Sequence, residues 1–443
     1  MSAPLPSPTT PSPSAERTAA VLAALRSGVT PATGCTEPVS LAFAAAAAAR
    51  RLHGPVTRID ARVSPNLMKN GMGVAVPGTG DSGLVIAAAV GAVGGDPDKG
   101  LQILEGVDPA AIDAARALIA DGRVHVGIEP VPDALWAEAE VTTATGRAAV
   151  RVQGGHTCIT RIEVDGETVL EAADRTDQSD PHQEVLRSLT LREVHEIVTA
   201  ADLADLRFIE EAAVLNIRLS DEGMQREYGL GLGRTLGTTE SSPWWEQVEA
   251  MTAAASDARM GGAPIPAMTN AGSGNQGICA TVPVTVVARH VGADDDQLIR
   301  ALALSHLTAL YIHAFLPPLS AFCAAATAGM GSAAGMVRLL GGDAAAAARA
   351  ISSMAGDIVG MVCDGAAPSC TMKVASSSVS AARAVRMALE GRRVTGDEGL
   401  VSDDVDETIR NLGRLTCCGM TRTDTEILAI MMSKNRDRAV SAC

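Results

Sequence analysis

Two hydrophobic periods divide this chain, and the change between them is what most limits its fold. From Arg123 to about Leu170 apolar residues recur in short alternating runs: Val124 to Ile128, Trp136 to Thr142, Ala148 to Val152 and Thr157 to Val164. That alternation is the mark of strands with one buried face. From Leu191 to the end the period is helical, broken by one long Gly/Pro/Asn stretch from Gly261 to Gly277. The spacing predicts helices over 279–290, 296–314, 319–339, 343–361, 371–390, 403–417 and 422–435. Ahead of the alternating region, 15–26 and 37–52 read as helices and 55–63 as a strand. Ser64 to Gly71 reads as a polar loop, and 83–121 as helix interrupted at Gly94-Gly95 and Gly106. The expectation is an α+β fold, with a mixed front half carrying one small antiparallel sheet and an all-helical back half. Residues 1–14, rich in Pro, Ser and Thr, read as a disordered extension, 15–245 as a mixed domain and 246–443 as a helical one.

Aromatic residues are only 2% of the 443, so Ala, Val, Leu, Ile and Met must fill the core, and small side chains favour closely packed helices. The same scarcity removes the stacking platforms of single-strand binders. A formal charge of −15 with no dense basic run argues against any nucleic acid as partner. The longest bland stretch, Leu41 to Ala49, is far too short to span a membrane. No export signal is visible, so a cytoplasmic location is expected, in which nine cysteines stay reduced and read as metal ligands, catalytic groups or core filling.

Cysteine placement carries the strongest chemical signal. Cys363 and Cys370 bracket Asp-Gly-Ala-Ala-Pro-Ser between two predicted helices, and Cys323 lies one helical hairpin earlier. Three thiolates on one face fit an iron–sulfur cluster with one iron lacking a protein ligand. A tetrahedral zinc site and plain core thiols are the alternatives. Cys35, in Thr33-Gly-Cys-Thr-Glu-Pro38, sits just ahead of a helix start, where free N–H groups and the helix dipole lower a thiol pKa. It is a candidate base or nucleophile, or a residue of a capping turn. Cys158, Cys279, Cys417 and Cys418 read as core thiols.

Two polar loops look built to hold a small anion. One contains Ser64, Asn66, Lys69 and Asn70. The other is Met268-Thr-Asn-Ala-Gly-Ser-Gly-Asn-Gln-Gly277, with Ser273, Asn275 and Gln276, opening onto a helix. Long connectors are the bland alternative. Lysines are only Lys69, Lys99, Lys373 and Lys434, and Lys69 or Lys373 could carry pyridoxal phosphate. His156, after Gly154-Gly155, is a candidate for facing a site. His306 and His313 share one helical face and read as hydrogen-bonded helix residues. Asp257 and Arg259 can anchor a loop or a substrate.

Taken in order, Gly34-Cys-Thr-Glu-Pro38, Val63-Ser-Pro-Asn-Leu-Met-Lys-Asn-Gly71, Gly154-Gly-His-Thr157, Ser256-Asp-Ala-Arg-Met-Gly-Gly262, Asn270-Ala-Gly-Ser-Gly-Asn-Gln-Gly277 and Cys363-Asp-Gly-Ala-Ala-Pro-Ser-Cys-Thr-Met-Lys373 resemble the L-cysteine desulfidase family. Its back half is similar to the alpha chain of iron–sulfur L-serine dehydratases. The resemblance covers about 17 to 435. It implies a [4Fe-4S] cluster on Cys323, Cys363 and Cys370, and Cys35 as the base. It also implies α,β-elimination from L-cysteine to hydrogen sulfide, pyruvate and ammonia, or the same steps on L-serine. A non-catalytic iron–sulfur sensor is the rival from another class, and a homo-oligomer stays open. Ser64, Asn66, Lys69, Asn70, His156, Ser273, Asn275, Gln276 and Lys373 are the expected substrate contacts. The terminal Cys443, on a short polar tail, is either the end of an exposed, frayed tail or a candidate displaceable fourth ligand that would plug the site.

Overall fold

The computed structural model describes residues 14–172 and 180–441, with side chains through 434. The expected extension over 1–13 and Cys443 lie outside the described residues. Ser14 belongs to the fold, since its hydroxyl accepts from the Arg17 amide and caps α1 (Ala15–Gly28).

The front half is one six-stranded sheet covered by helices. Its strands are β2 (Val56–Val63), β3 (Val124–Ile128), β4 (Trp136–Thr143), β5 (Arg147–Gln153), β6 (Ile159–Val164) and β7 (Glu167–Glu171), in the order β3-β2-β4-β5-β6-β7. A short pair, β1 (Pro31–Ala32) with β8 (Ala267–Met268), lies apart from it. Alternation decides the faces: Ile59, Ala61 and Val63 share the buried side with Ala137, Ala139, Val141, Ala148, Val150 and Val152. The opposite face is charged, with Arg62 paired to Glu129 and Glu138 and Arg151 to Glu138. The sheet is mixed, not antiparallel as expected, because β2 and β3 run parallel. The chain between them forms α3 (Pro65–Gly71), α4 (Leu84–Gly94) and α5 (Pro109–Ala120), long enough for a crossover. Ser64 to Gly71 is therefore helix and not loop: Ser64 Oγ accepts from the Leu67 amide and Pro65 occupies the first turn.

The buried face of the sheet packs on α2 (Thr36–Ala49) and α4. Alanine makes this possible. A methyl group at Gly91 of α4 would meet the Ala42 carbonyl of α2 at 2.3 Å, so the two backbones nearly touch.

The helical half contains α6 (Pro181–Arg187), α7 (Leu191–Ala200), α8 (Leu203–Leu206), α9 (Glu210–Gln225), α10 (Leu232–Leu236), α11 (Trp244–Met260), α12 (Gly274–Val291), α13 (Asp295–His313), α14 (Ala324–Leu339), α15 (Ala344–Ile358), α16 (Cys370–Leu389) and α17 (Val405–Arg414). The two hydrophobic cores do not divide at residue 245. Residues of α1, of α6 to α9 and of α11 to α17 share one core, whereas the front core takes in Leu428 of α18 (Thr423–Ser441). The chain thus crosses between the halves at both ends.

Lys69 of α3 ties this crossing. Its ammonium is fully buried and donates to the Cys363 carbonyl at 3.1 Å and to the Asp424 carboxylate at 2.5 Å. An ammonium removed from water needs such partners, and stranding one member of a buried pair is costly. Lys69→Met, which leaves Asp424 alone, should cost about 3 kcal/mol of stability, read as a lower urea midpoint of the full chain. Adding Asp424→Leu should recover part of the loss. An unchanged midpoint in Lys69→Met would mean that this pair does not hold α18 in place.

Candidate functional site

The three cysteines of the back half meet through backbone geometry. Phe322 and Val362 form an isolated antiparallel bridge, the Cys323 amide donates to Met361 O at 3.0 Å, and the Cys363 amide donates to Ala321 O at 2.7 Å. These bonds set Cys323, the N-cap of α14, beside Cys363. Cys370 opens α16 and its thiol donates to the Gly365 carbonyl at 3.5 Å, folding the intervening loop back. All three thiols line one cavity of about 100 Å³. Two of them stand at helix N-termini, which favour anionic ligands.

The donor set suits an iron–sulfur cluster. Burial first, then the neighbouring Cys363, pushes the Cys323 thiol up to about 12, and burial likewise raises Cys370. One buried and two half-buried thiols on one cavity form a soft donor set that a positive centre would bind as thiolates. No group of three or more His, Cys, Asp or Glu among the described residues converges on a point where one metal ion would sit. Cluster thiolates bind separate irons and stand further apart than ligands of one ion.

Cys35 lines the same cavity from the front half, brought there because Pro31 of β1 pairs with Met268 of β8. It is the N-cap of α2, but its thiol caps nothing. It donates instead to Glu37 Oε2 at 2.9 Å, while Glu37 Oε1 accepts from Asn70 Nδ2 at 3.2 Å. The expected lowering of the thiol pKa is overturned. Burial, and then the Glu37 charge, hold Cys35 well above its ordinary range, with Arg259 pulling the other way. Glu37 was missed by sequence reasoning, because an acid in the first turn of a helix reads simply as favourable to the dipole.

The amide loop and His156 also line the cavity. Ser273 caps α12, Asn275 approaches Ser256 Oγ at 3.4 Å, and Gln276 is buried with Oε1 unpaired. Burial lowers the His156 pKa, so the ring is neutral, and its Nε2 has no partner among the described residues. His313 lines the cavity too, held neutral by burial at about 4. His306 lies behind the loop, where its ring contacts Asn270 Nδ2 at 3.2 Å and Thr281 Oγ1 at 2.9 Å.

Other expected contacts lie outside the cavity. Ser64 donates to Ala134 O and caps α3; Asn66 lies on that helix away from the lining. Lys69 is spent on Cys363 and Asp424, and Lys373 is paired with Asp364, so neither lysine faces the cavity as a substrate contact or cofactor anchor. Among the described residues, the cation that lines it is Arg259, whose Nε has no hydrogen-bond partner. Its companion Asp257 anchors a loop, accepting from the Leu230 and Gly233 amides.

Residues 98–429 match the family described as serine dehydratase alpha chain. The chain is similar, at 53% identity over 93% of its length and 96% of the relative's, to a UPF0597 protein of Chromobacterium violaceum. It is 52% identical, with the same coverage, to the UPF0597 protein YhaM of Salmonella typhimurium. No helix among the described residues is long and apolar enough to cross a membrane.

The raised thiol of Cys35 has a direct chemical consequence. In apoprotein at about pH 8, below the ordinary thiol pKa, iodoacetamide should alkylate exposed Cys418 well before Cys35, as read by peptide mass spectrometry. The Cys35 rate should keep climbing to higher pH than an ordinary thiol's, because burial and the Glu37 charge disfavour its thiolate in the empty cavity. Glu37→Gln should accelerate it by removing the adjacent charge. Equal rates at Cys35 and Cys418 would contradict this electrostatic assignment.

Proposed function

We propose that this chain, which belongs to the serine dehydratase alpha chain family, is an iron–sulfur lyase that removes the β-substituent and ammonia from L-cysteine. The observation that carries this reading is that Cys323, Cys363 and Cys370 line the same cavity as Cys35, Glu37 and the amide loop. The three thiolates would hold a [4Fe-4S] cluster, whose iron without a cysteine supplies an open Lewis-acid position for the leaving group.

The chain's own residues then have separable tasks. Cys35 Sγ takes the α-proton once its own proton has passed along the 2.9 Å bond to Glu37 Oε2. Asn70, bonded to the other Glu37 oxygen, keeps that carboxylate aimed at the thiol. Neutral His156 and the amides of Asn275 and Gln276 orient the substrate within the cavity. Loss of hydrosulfide leaves aminoacrylate, which tautomerises and takes up water to give pyruvate and ammonia.

A second reading, L-serine as substrate with water leaving, is favoured by the description of the family. Soft iron–sulfur affinity supports cysteine. A buried acid and cation around the cavity support substrate binding over a sensor, which needs no such cradle.

An anaerobic assay of reconstituted protein, following pyruvate and sulfide from L-cysteine and pyruvate from L-serine, tests the reading. L-cysteine should have the higher kcat/KM, and no pyruvate from either amino acid would refute it. Cys323→Ala, Cys363→Ala and Cys370→Ala should each lose iron and turnover together. Cys35→Ser should keep the cluster absorption and lose turnover by at least about 100-fold, since a serine hydroxyl cannot replace the thiol as base. Retained turnover in that variant would remove Cys35 from the proton path.

A further inference from the structure

We infer that Arg259 is the anchor for the substrate's α-carboxylate, and that it restricts the site to amino acids whose carboxylate is free. This rests on the lyase reading for the identity of the substrate, but the anchor itself is argued from the cavity.

Arg259 is 4% exposed and lines the cavity from the last turn of α11. Its five N–H bonds are poorly used. Among the described residues, Nη2 donates to the Gly34 carbonyl at 3.1 Å, Nη1 meets only the Met260 thioether at 3.3 Å, and Nε has no partner. The nearby acids are committed elsewhere: Glu37 to Cys35, Thr36 and Asn70, and Asp257 to two backbone amides. No carboxylate among the described residues forms an ion pair with this buried guanidinium, and its free Nε leaves a place for a carboxylate arriving in the cavity.

A second element converges on the same place. The guanidinium lies directly against Gly274, the first residue of α12, where a methyl group would come within 2.2 Å of Nε. Arg259 thus lies against the first residue of an 18-residue helix and shares the cavity lining with Gln276, which is buried with Oε1 unpaired among the described residues. Cation, helix N-terminus and unpaired amide together match a zwitterion: the carboxylate goes to Arg259 and the first amides of α12, and Gln276 Oε1 is left as an acceptor for the substrate's ammonium. Lys69 and Lys373, each held by an aspartate, offer no competing cation.

The test compares L-cysteine with L-cysteinamide, and L-serine with L-serinamide, on reconstituted wild type, Arg259→Lys, Arg259→Gln and Gly274→Ala. Wild type should favour the acid over the amide by about 10- to 100-fold in kcat/KM. In Arg259→Gln this ratio should fall toward one, mainly through a higher KM for the acid. Arg259→Lys should lie between. Gly274→Ala should lower the ratio with the guanidinium still present, because the new methyl group displaces it. Cluster absorption should be the same in all four proteins. A wild type indifferent to the amide, or an Arg259→Gln variant that keeps the preference, overturns the anchor. So does bleaching in both Arg259 variants, which would assign the arginine to the cluster. Should Arg259→Gln fail to fold, the Arg259→Lys ratio decides. If wild type turns over neither amino acid yet L-cysteine raises its melting temperature and not that of Arg259→Gln, the lyase reading fails and the anchor stands.

Discussion

The cavity exists only where the front and back halves meet, and a single ammonium wholly withdrawn from water holds that meeting together. Lys69 reaches from α3 to the carbonyl of Cys363 and to Asp424 of α18. Because its charge is unprotected by solvent, neither partner can move away without exposing or stranding it. The loop that carries Cys363 is thereby fixed relative to the sheet-bearing half. Asn70, one residue further along α3, stays within reach of Glu37 for the same reason. The short β1–β8 pairing acts in parallel, setting the segment before Cys35 against the one before the amide loop.

Small side chains set the precision of this arrangement. With aromatics at 2%, the helices approach until backbone meets backbone, as at Gly91 and Ala42, and the helical core around α11 to α16 is rich in alanine. Close packing of this sort transmits displacement directly, since there is little soft side chain to absorb it. Helix ends are therefore reliable places to hang chemistry. Cys35, Cys323 and Cys370 all stand at helix N-termini, and Arg259 ends one helix while lying under the start of another.

Electrostatics in the cavity departs from what helix termini alone would suggest. A dipole worth a fraction of a charge lowers a thiol pKa modestly, whereas full burial beside Glu37 raises it by more. The result is a neutral Cys35 whose thiol donates to the Glu37 carboxylate. Arg259 supplies the compensating positive charge and is the cavity's counterweight to both the cysteines and the acid.

Much of the architecture was legible in the sequence, because period and punctuation are local properties. Alternation located the strands from Val56 to Val164, helical spacing located α12 to α18, and the bracketing of Asp-Gly-Ala-Ala-Pro-Ser by two cysteines between helices singled out the segment that lines the cavity. What depends on partners distant in the chain was not legible. The parallel pairing of β2 with β3 comes from a crossover of α3 to α5, and the helix over Pro65–Gly71 from a serine cap inside what looks like a polar loop. Lysines in a suspicious segment look like substrate ligands until Asp424 and Asp364 are seen to hold them. The direction of the Cys35 shift and the availability of Arg259 were decided by burial and by which acids were already engaged. Residue types and spacing are written in the chain itself, but the free energy of a charge is set by the dielectric and the neighbours around it, and only the tertiary structure supplies those.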